Sequence, residues 1–563
     1  MTPDNGNQAY VFREGRSELD ARLLRRELDD ELRLIRGLID PADMRRALVD
    51  AMVRAGELEC GLSDAGAPAA TSMERVSDAI ASALVAIDGV RQGGSSVQKA
   101  HDAKIAIGCA VETLEAMSLS GSIRASPAEG FAYYGLHPLD FADLARRIPR
   151  TSERICVVGI RTIGSTLSAM ATAALISEGV HATRVTVRPE SSPYDRKTTF
   201  APAQSAWLTR ERALGAAVMV VDEGPGLSGS SFLSVAEALV EAGFSPDRVD
   251  LLGSRQVDPQ RLVAPNGAIR WSKFRSHVSS TRAPPAGDFI GAGRWRALAY
   301  ADQADWPPCW PMMERAKYRS GGELLKFEGL GRYGARVLSR ASALAERGFC
   351  PPVHDAGDGY HAYAVLNGRP MDGTDVGFDL IARMAHYCAA RIELLPADQT
   401  SELQPMLIKN LSLELPRQAD PPRLEVVRPV IADSRMMPHE WIATANGIFK
   451  CDAATHGDDH FFPGPIDIAW DLAGAIVEWG LDIDQRTLLL EIYERACGDR
   501  AARRVEAYEL AYTVFRTGYT KMAAQNIEDP RERQRMMAGY ARYRARLPDL
   551  LQSTSGVRRR MES

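Results

Sequence analysis

The stretch VVDEGPGLSGSS, residues 220–231, decides the fold of the middle of the chain. It closes a β-rich apolar run, Val218–Val221, with two adjacent acids, Asp222 and Glu223. Seven of the next eight residues are Gly, Pro or Ser, and the helical pattern SFLSVAEALVEAG follows at once. A strand, a small-residue turn and a helix in this order predict a turn at the carboxyl end of a sheet, where open α/β folds bind ligands.

Such a turn is typical of a site for phosphate. Its backbone N–H groups point inward, and the helix that follows adds partial positive charge at its first residues. The paired acids suit two hydroxyls of a ribose, or Mg²⁺ with its waters. The stretch therefore predicts a pocket for a sugar phosphate.

The sequence around this turn alternates between strand and helix patterns. Short β-rich runs occur at ICVVGI (155–160), RVTVR (184–188) and VDLLG (249–253), with helical stretches between them. Alternation of this kind predicts a parallel sheet built from βαβ units. The chain as a whole is predicted to be an α/β multidomain protein. Its helical N-terminal region is followed by this parallel-sheet domain and then by an α+β domain with a helical C-terminal lobe.

The stretch VMVVDEGPGLSGSSF resembles the signature of the type I phosphoribosyltransferases. The resemblance implies that Asp222 and Glu223 are catalytic acids that hold the ribose 2- and 3-hydroxyls of phosphoribosyl pyrophosphate. The residues that would cradle the 5-phosphate are Gly226, Ser228, Gly229, Ser230 and Ser231. The loop is one residue longer than in many family members, so a shift of one place within 228–231 stays open.

Two further stretches extend this resemblance. VVGIRTIGSTLSA (157–169) corresponds to the family's pyrophosphate-binding loop, which implies that Arg161, Thr162 and Gly164 bind substrate. RPESSPYDRKTTF (188–200) corresponds to its basic catalytic lid, with Lys197 beside two arginines, Arg188 and Arg196. A basic lid is suited to stabilising a departing pyrophosphate.

Residues 320–525 resemble the aminoglycoside phosphotransferase and choline kinase-like group. The strand ELLKF carries Lys326, which the resemblance implies binds ATP phosphates. IADSRMMPHEW (431–441) resembles the catalytic loop, with Asp433 as base, and GIFKCD (447–452) ends in Asp452, implied to bind Mg²⁺. The Asn usual in that loop is absent, and Glu440 as a metal ligand, or else His439, would take its place.

Three features of this region differ from the pattern or compete with it. The predicted helix at 334–347 has no glutamate in its middle to pair with Lys326. HGDDHFFPG (456–464) offers a competing catalytic loop with Asp458 as base, and we favour Asp433 because the strand IFKC fits the position before the metal acid. The His456, Asp458, Asp459 and His460 side chains also leave open a separate metal site, or an ordinary hydrogen-bonded loop. Asp471 in DIAWDLAGA is expected to be structural.

Composition argues against nucleic acids and membranes as binding partners. A net charge of −5 gives no nucleic-acid signature, and no apolar run approaches the length of a membrane span. The eight cysteines include no C-x-x-C pair, which argues against zinc sites and disulfides, and the first residues lack the apolar core of a signal peptide. We expect a cytoplasmic protein that binds small molecules, without nucleic-acid or membrane partners.

The length of 563 residues predicts several domains. We place a helical region at 1–120, a phosphoribosyltransferase-like domain at 121–290 and a kinase-like domain at 300–550. The first region is expected to form a hood over the phosphoribosyl site or a homodimer contact. The sequence predicts a bifunctional transferase, using phosphoribosyl pyrophosphate in one domain and ATP with Mg²⁺ in the other, that acts on a nucleobase, nucleoside or other small molecule. The alternative is a non-catalytic phosphoribosyl or nucleotide sensor with a degenerate kinase-like scaffold.

Overall fold

The structure is a computed structural model. It describes residues 10, 12, 16–89, 96–119, 121–226, 228–281, 285–398, 402–415, 421–458, 461–462 and 464–561. Within these residues, no helix combines the length and the apolar character needed to cross a bilayer.

The first part of the described chain is mainly helical. Its elements are β1 (Ser17–Asp20), α1 (Ala21–Gly37), α2 (Pro41–Asp64), α3 (Ala70–Asp88), α4 (Ser96–Ala116), β2 (Ser122–Ala125), α5 (Glu129–Ala132) and α6 (Pro138–Arg147). The Asp20 and Asp40 carboxylates accept hydrogen bonds from the first free N–H groups of α1 and α2 and so fix where these helices begin. Strands β1 and β2 pair with each other, so the N-terminal unit reaches past residue 120.

The middle part contains the predicted parallel sheet, with strands in the order β4-β3-β5-β6-β7. Its elements are β3 (Arg154–Ile160), α7 (Gly164–Ser177), β4 (His181–Val187), α8 (Pro202–Ala213), β5 (Ala217–Val221), α9 (Ser230–Glu241), β6 (Val249–Gly253), α10 (Gly267–Trp271) and β7 (Arg275–Val278). Strand β5 is buried along its whole length, as its continuous apolar run predicts for a central parallel strand. The acids that follow it therefore lie at the carboxyl edge of the sheet.

The N-terminal helices are fixed to this sheet by a close approach and a buried ion pair. A Cβ added to Gly56 of α2 would lie 1.8 Å from Oγ1 of Thr166 in α7, so the two helices touch where Gly56 has no side chain. Arg184 of β4 lies 2.8 Å from a Glu59 carboxylate oxygen and 2.5 Å from one of Asp78. Helices α2 and α3 thereby dock on α7 and the edge strand.

The last part combines an antiparallel sheet with a helical lobe. The sheet runs β11-β12-β10-β9-β8, and its elements are β8 (Asp288–Phe289), α11 (Arg296–Ala299), β9 (Lys317–Ser320), β10 (Glu323–Phe327), α12 (Arg332–Glu346), β11 (Val353–Gly357) and β12 (Tyr360–Ala364). Because β8 pairs with β9, this sheet begins before residue 290, inside the range predicted for the middle domain.

The helical lobe follows, with three short strands forming a sheet in the order β13-β15-β16. Its elements are β13 (Gly368–Pro370), α13 (Phe378–Leu394), α14 (Leu403–Glu414), β14 (Pro429–Val430), β15 (Trp441–Thr444), β16 (Gly447–Lys450), β17 (Ile466–Asp467), α15 (Ala469–Trp479), α16 (Ile483–Cys497), α17 (Val505–Asn526) and α18 (Pro530–Met561). Its core is rich in buried aromatic side chains such as Trp441 and Trp470. The antiparallel sheet and this lobe enclose a cleft.

Candidate active site

Lys326 joins the two sides of the cleft. It lies on β10, directly opposite Lys317 of β9 in the antiparallel register, so both ammonium groups point the same way. Its Nζ lies 2.5 Å from an Asp452 carboxylate oxygen, 3.1 Å from one of Glu328 and 3.2 Å from the Thr455 hydroxyl. The predicted lysine and the predicted metal-binding acid are thus brought into direct contact.

Asp452 lies just past the end of β16, where its φ of 55° turns the chain back toward the cleft. The Lys317 ammonium lies 3.4 Å from its second oxygen. Burial alone would raise the pKa of Asp452, but the two lysines hold it well below its usual range. Asp452 is therefore a carboxylate at any physiological pH, which is the form that binds a divalent cation.

Asp433 lies in a closed ionic network. Its carboxylate accepts a short hydrogen bond from the Tyr387 hydroxyl and lies 3.2 Å from the Lys450 ammonium. Its backbone N–H and that of Ser434 donate to the Asp471 carboxylate at 2.8 and 3.0 Å, the structural role expected of Asp471. Burial alone would raise the pKa of Asp433, but Lys450 and neighbouring basic groups lower it to about 2.

Glu440 and His456 complete a cluster with Asp433 whose ligand atoms lie within 4.8 Å of one another. The Lys450 ammonium lies 2.9 Å from Glu440, and each ring nitrogen of His456 lies 3.8 Å from one of the two carboxylates. An ammonium group already compensates the charge of this cluster. Ammonium groups contact both predicted metal ligands: Lys326 and Lys317 contact Asp452, and Lys450 contacts Glu440. Their roles as Mg²⁺ ligands stay predictions.

A cavity of about 650 Å³ opens beside these groups. Glu440, Asp452, Lys326 and His456 lie on its wall, but Asp433 does not. A general base must come within hydrogen-bonding distance of the proton that it removes. The Asp433 side chain is fully buried and does not line the cavity, and its role as the base stays a prediction.

The competing register and the separate metal site depend on residues 458–460. The backbone of Asp458 is described, but its side chain is not, and Asp459 and His460 lie outside the described residues. Asp458 as base thus stays a prediction, and so does the cluster of His456 with these three residues.

The second candidate site surrounds the turn after β5. The Asp222 carboxylate accepts a hydrogen bond from the N–H of Glu223 at 2.8 Å, and the Glu223 carboxylate accepts one from the N–H of Gly130 at 2.9 Å. Burial raises the pKa of Asp222 to about 8, and the neighbouring Glu223 adds to this, while Arg188 and Arg196 oppose it. The acid pair lies at the sheet edge that the sequence predicts, with Glu223 held by the N-terminal unit.

The small-residue turn leads directly into α9, and the basic hairpin lies against it. Gly229 adopts a φ of 70°, which favours glycine, and α9 begins at Ser230. The hydroxyls of Ser228 and Ser230 both donate to the Pro193 carbonyl, at 2.8 and 2.7 Å. These two predicted phosphate donors are thus engaged by the predicted lid, and Leu227 lies outside the described residues.

The predicted pyrophosphate loop meets an acid from the N-terminal helices. Asp64, the last residue of α2, lies 3.2 Å from Arg161 and 2.5 Å from Arg188. Arg188 also donates to the Arg161 carbonyl at 2.8 Å, beside Thr162. Lys197 lies apart from this group, with its side chain exposed and 3.5 Å from Asp195.

Gly164, Gly226 and Ser231 are the remaining predicted contacts. Gly164 begins α7, and a Cβ there would lie 2.9 Å from the Val221 carbonyl, so this site needs glycine for close packing against β5. Gly226 has a φ of 59° within the turn, and Ser231 is the second residue of α9. All three lie around the end of β5.

Sequence reasoning missed four residues that shape the two sites: Lys317, Glu328, Lys450 and Asp64. Glu328 is the carboxylate that pairs with Lys326, two residues along the same chain, in place of a glutamate from α12. Lys317 and Lys326 form the fourth residue pair from the tight turn at 321–322, so the pairing of β9 with β10 could have revealed Lys317. No sequence pattern marks Asp64, because its partners Arg161 and Arg188 are about a hundred residues away in the chain.

The sequence matches no protein-family model and no curated protein. Part of the chain is similar to solved structures. One is a choline/ethanolamine kinase family protein from Mesorhizobium loti, with 18% identity, covering 43% of this chain and 89% of that chain at a TM-score of 0.30. Another is an ethanolamine kinase from Plasmodium vivax, with 9% identity, 43% and 81% coverage and a TM-score of 0.31. A third is an aminoglycoside phosphotransferase from Alicyclobacillus acidocaldarius, with 15% identity, 43% and 92% coverage and a TM-score of 0.28.

Proposed function

We propose that the cleft between the antiparallel sheet and the helical lobe transfers the γ-phosphoryl group of ATP to a small-molecule acceptor. The observation that carries the proposal is the contact of Lys326 with Asp452 on the wall of a 650 Å³ cavity. A lysine for the ATP phosphates and an ionised acid for Mg²⁺ are the parts that phosphoryl transfer needs, since its catalysis is mainly positioning and charge stabilisation.

Each of these residues has its own role in the proposed transfer. Lys326 and Lys317 face the phosphates, and Asp452 would hold Mg²⁺, which when bound neutralises charge on the phosphate oxygens. The bond between the γ-phosphorus and the bridging oxygen breaks, the acceptor oxygen takes the phosphoryl group, and ADP leaves. The acceptor proton passes to His456, which lies on the cavity wall and whose pKa is lowered by burial, so that its ring is neutral and able to accept it.

The experiment is binding of Mg·AMP-PNP by calorimetry to the wild type and to Lys326→Met. We expect the affinity of Lys326→Met to fall at least about tenfold, since a charge-assisted phosphate contact contributes about 1.5–3 kcal/mol. Lys273→Met removes an exposed lysine outside the cavity and serves as the control. Equal affinity in wild type and Lys326→Met, with both folded, would remove the assignment.

We propose further that the turn after β5 binds phosphoribosyl pyrophosphate. The observation that favours this is the position of the Asp222 and Glu223 pair at the carboxyl edge of the parallel sheet, beside the first turn of α9. Arg161 follows β3 and Arg188 follows β4, at the same carboxyl edge of the sheet, where a pyrophosphate would meet them once Asp64 releases them. Asp222 and Glu223 would hold Mg²⁺ with its waters, and this charge together with the basic groups would suit a departing pyrophosphate.

Phosphoribosyl pyrophosphate binding and pyrophosphate release over a nucleobase panel test this second site. Asp222→Asn combined with Glu223→Gln should abolish binding, whereas Asp247→Asn, at an exposed acid away from the turn, should not. Pyrophosphate release that depends on both acids supports the transferase. Tight binding without release on any acceptor would favour the sensor, and binding unaffected by the double substitution would contradict the site itself.

A further inference from the structure

The cavity beside Asp452 has an end that the phosphoryl-transfer residues do not use. Helices α17 and α18 form it, and three arginines lie on its wall: Arg516, Arg535 and Arg542. Arg516 and Arg542 share a single carboxylate, that of Glu478, at 3.3 and 3.0 Å. The carboxylate also accepts hydrogen bonds from two tyrosines, so it is fully occupied.

A second pair of arginines repeats this arrangement. Arg535 lies 2.5 Å from the Glu532 carboxylate, and Arg296 lies 2.8 Å from the same group. The Glu532 carboxylate also accepts from the N–H of Cys309 at 3.2 Å. The four arginines together therefore exceed their two carboxylate partners by two positive charges. Arg296 and Arg516 are almost completely buried, so solvent screens this excess poorly.

Aromatic side chains also line this cavity. They include Tyr133 and Tyr134 from the N-terminal side, and Trp295, whose ring stacks on His439 with centroids 5.7 Å apart. Aromatic faces bind planar rings through offset stacking. The volume of about 650 Å³ is within the range of small-molecule sites.

We propose that this cavity binds an acceptor that carries both an anionic phosphate and a planar ring, of the nucleoside monophosphate class. The arginines on α17 and α18 take the phosphate, and the aromatic side chains take the ring. The acceptor then lies with one end at the basic helices and the other toward Asp452. This inference rests on the proposed phosphoryl transfer and names the class of its acceptor.

Calorimetry that measures the binding of uridine 5′-monophosphate and of uridine tests the proposal. Both are titrated into protein that carries Asp222→Asn and Glu223→Gln and is saturated with Mg·AMP-PNP, so that the other two sites contribute no signal. We expect the monophosphate to bind at least about tenfold more tightly than the nucleoside, because a phosphate gains charge-assisted hydrogen bonds to arginine.

The decisive variant is Arg535→Gln with Arg542→Gln, which should remove most of this preference. Arg531→Gln with Arg544→Gln also removes two positive charges from α18, but at positions outside the cavity wall, and should leave the preference unchanged. Equal binding of uridine and its monophosphate, or tighter binding of choline than of either, would overturn the proposal. So would stoichiometric binding of AMP-PNP without any binding of the monophosphate. Failure of AMP-PNP itself to bind would instead contradict the proposed phosphoryl transfer.

Discussion

Lys450 shows how one side chain balances the charge of the cleft. Its buried ammonium lies 3.2 Å from Asp433 and 2.9 Å from Glu440, and it donates to the Cys451 carbonyl at 2.8 Å. These two carboxylates keep the pKa of Lys450 above its usual value in spite of burial. Without this ammonium, the two buried acids would repel each other.

We expect Lys450→Met to destabilise the helical lobe by about 3–5 kcal/mol, the usual cost of removing one partner from a buried ion pair. Urea unfolding followed by tryptophan fluorescence measures this, since Trp441 and Trp470 lie in that core. Lys273→Met, at an exposed lysine, should unfold as the wild type does. An unchanged midpoint for Lys450→Met would show that the network contributes little to stability.

The raised pKa of Asp222 predicts that stability and ligand binding at the turn after β5 depend on pH. Its pKa is raised to about 8 in the folded protein, against about 3.9 when exposed, so the folded state binds the extra proton between these values. Stability from this group therefore falls as the pH rises through 8. The ionised form, which Mg²⁺ and the ribose hydroxyls require, becomes the main one only above that value.

The affinity for phosphoribosyl pyrophosphate with Mg²⁺ should accordingly increase between pH 7 and pH 9, after correction for titration of the ligand. In Asp222→Asn this increase should vanish, because the amide cannot ionise. Asp247→Asn, whose acid is exposed, should keep the pH profile of the wild type. Parallel profiles for wild type and Asp222→Asn would mean that another group titrates.

Helix α2 is the element that ties the N-terminal unit to both candidate sites. Gly56 lets it touch α7, its Glu57 carboxylate lies 2.8 Å from Arg332 of α12, and its last residue, Asp64, reaches the pyrophosphate loop. The end of α2 thus lies beside Arg161 and Arg188, and the expected hood stays a prediction. The homodimer contact stays a prediction.

We expect Gly56→Ala to lower the thermal midpoint, because its Cβ would come within 1.8 Å of the Thr166 hydroxyl and overpacking of this kind costs about 1–3 kcal/mol. Gly37→Ala is the matched control, since a Cβ at Gly37 in α1 meets nothing within 4 Å and alanine favours helix. Scanning calorimetry of the two variants decides the matter. Equal midpoints would contradict the tight packing of α2 on α7.

The elements themselves could be predicted where the pattern is local. Leu24, Leu28 and Leu32 recur at helical spacing and are buried, and the apolar run before Asp222 is a central strand. The kinase resemblance selected Lys326 and Asp452 separately, and their direct contact is seen only in the structure. Contacts between distant segments could not be predicted, because nothing in the sequence around Asp64 records the arginines that it meets.

The burial of Asp433 could not be predicted for the same reason. The resemblance assigns a role to Asp433 from its neighbours in sequence, whereas its contacts with Lys450 and Tyr387 come from distant parts of the lobe. Burial of a side chain is a property of the assembled lobe rather than of a motif. Sequence patterns therefore indicate secondary-structure elements more reliably than the burial and contacts of each side chain.

At the scale of the whole molecule, a continuous series of contacts connects the two sites. Gly130 donates to Glu223, and two residues later the Ala132 carbonyl accepts from Arg315 at 3.0 Å. Arg315 lies 3.5 Å from Glu328, and Glu328 contacts Lys326. Lys326 in turn contacts Asp452. A ligand that moves Glu223 therefore acts on a segment that touches the cleft.

We expect phosphoribosyl pyrophosphate to change the affinity for Mg·AMP-PNP by about fivefold or more, the lower end of typical coupling between sites. Arg315→Met should reduce this effect, since it removes the link between Ala132 and Glu328. Arg319→Met, an exposed arginine on the same strand region, is the control. Identical affinities with and without the first ligand would show that the two sites act independently.

Electron paramagnetic resonance that measures Mn²⁺ binding in the presence of AMP-PNP tests most directly whether Lys326 and Asp452 form a phosphoryl-transfer centre. Mn²⁺ takes the place of Mg²⁺ at oxygen ligands, and its signal counts bound ions. We expect nucleotide-dependent Mn²⁺ binding in the wild type and in Asp222→Asn, and its loss in Asp452→Asn. Mn²⁺ binding that is the same in Asp452→Asn as in the wild type, or absent from a wild type that binds the nucleotide, would contradict a phosphoryl-transfer centre at Lys326 and Asp452.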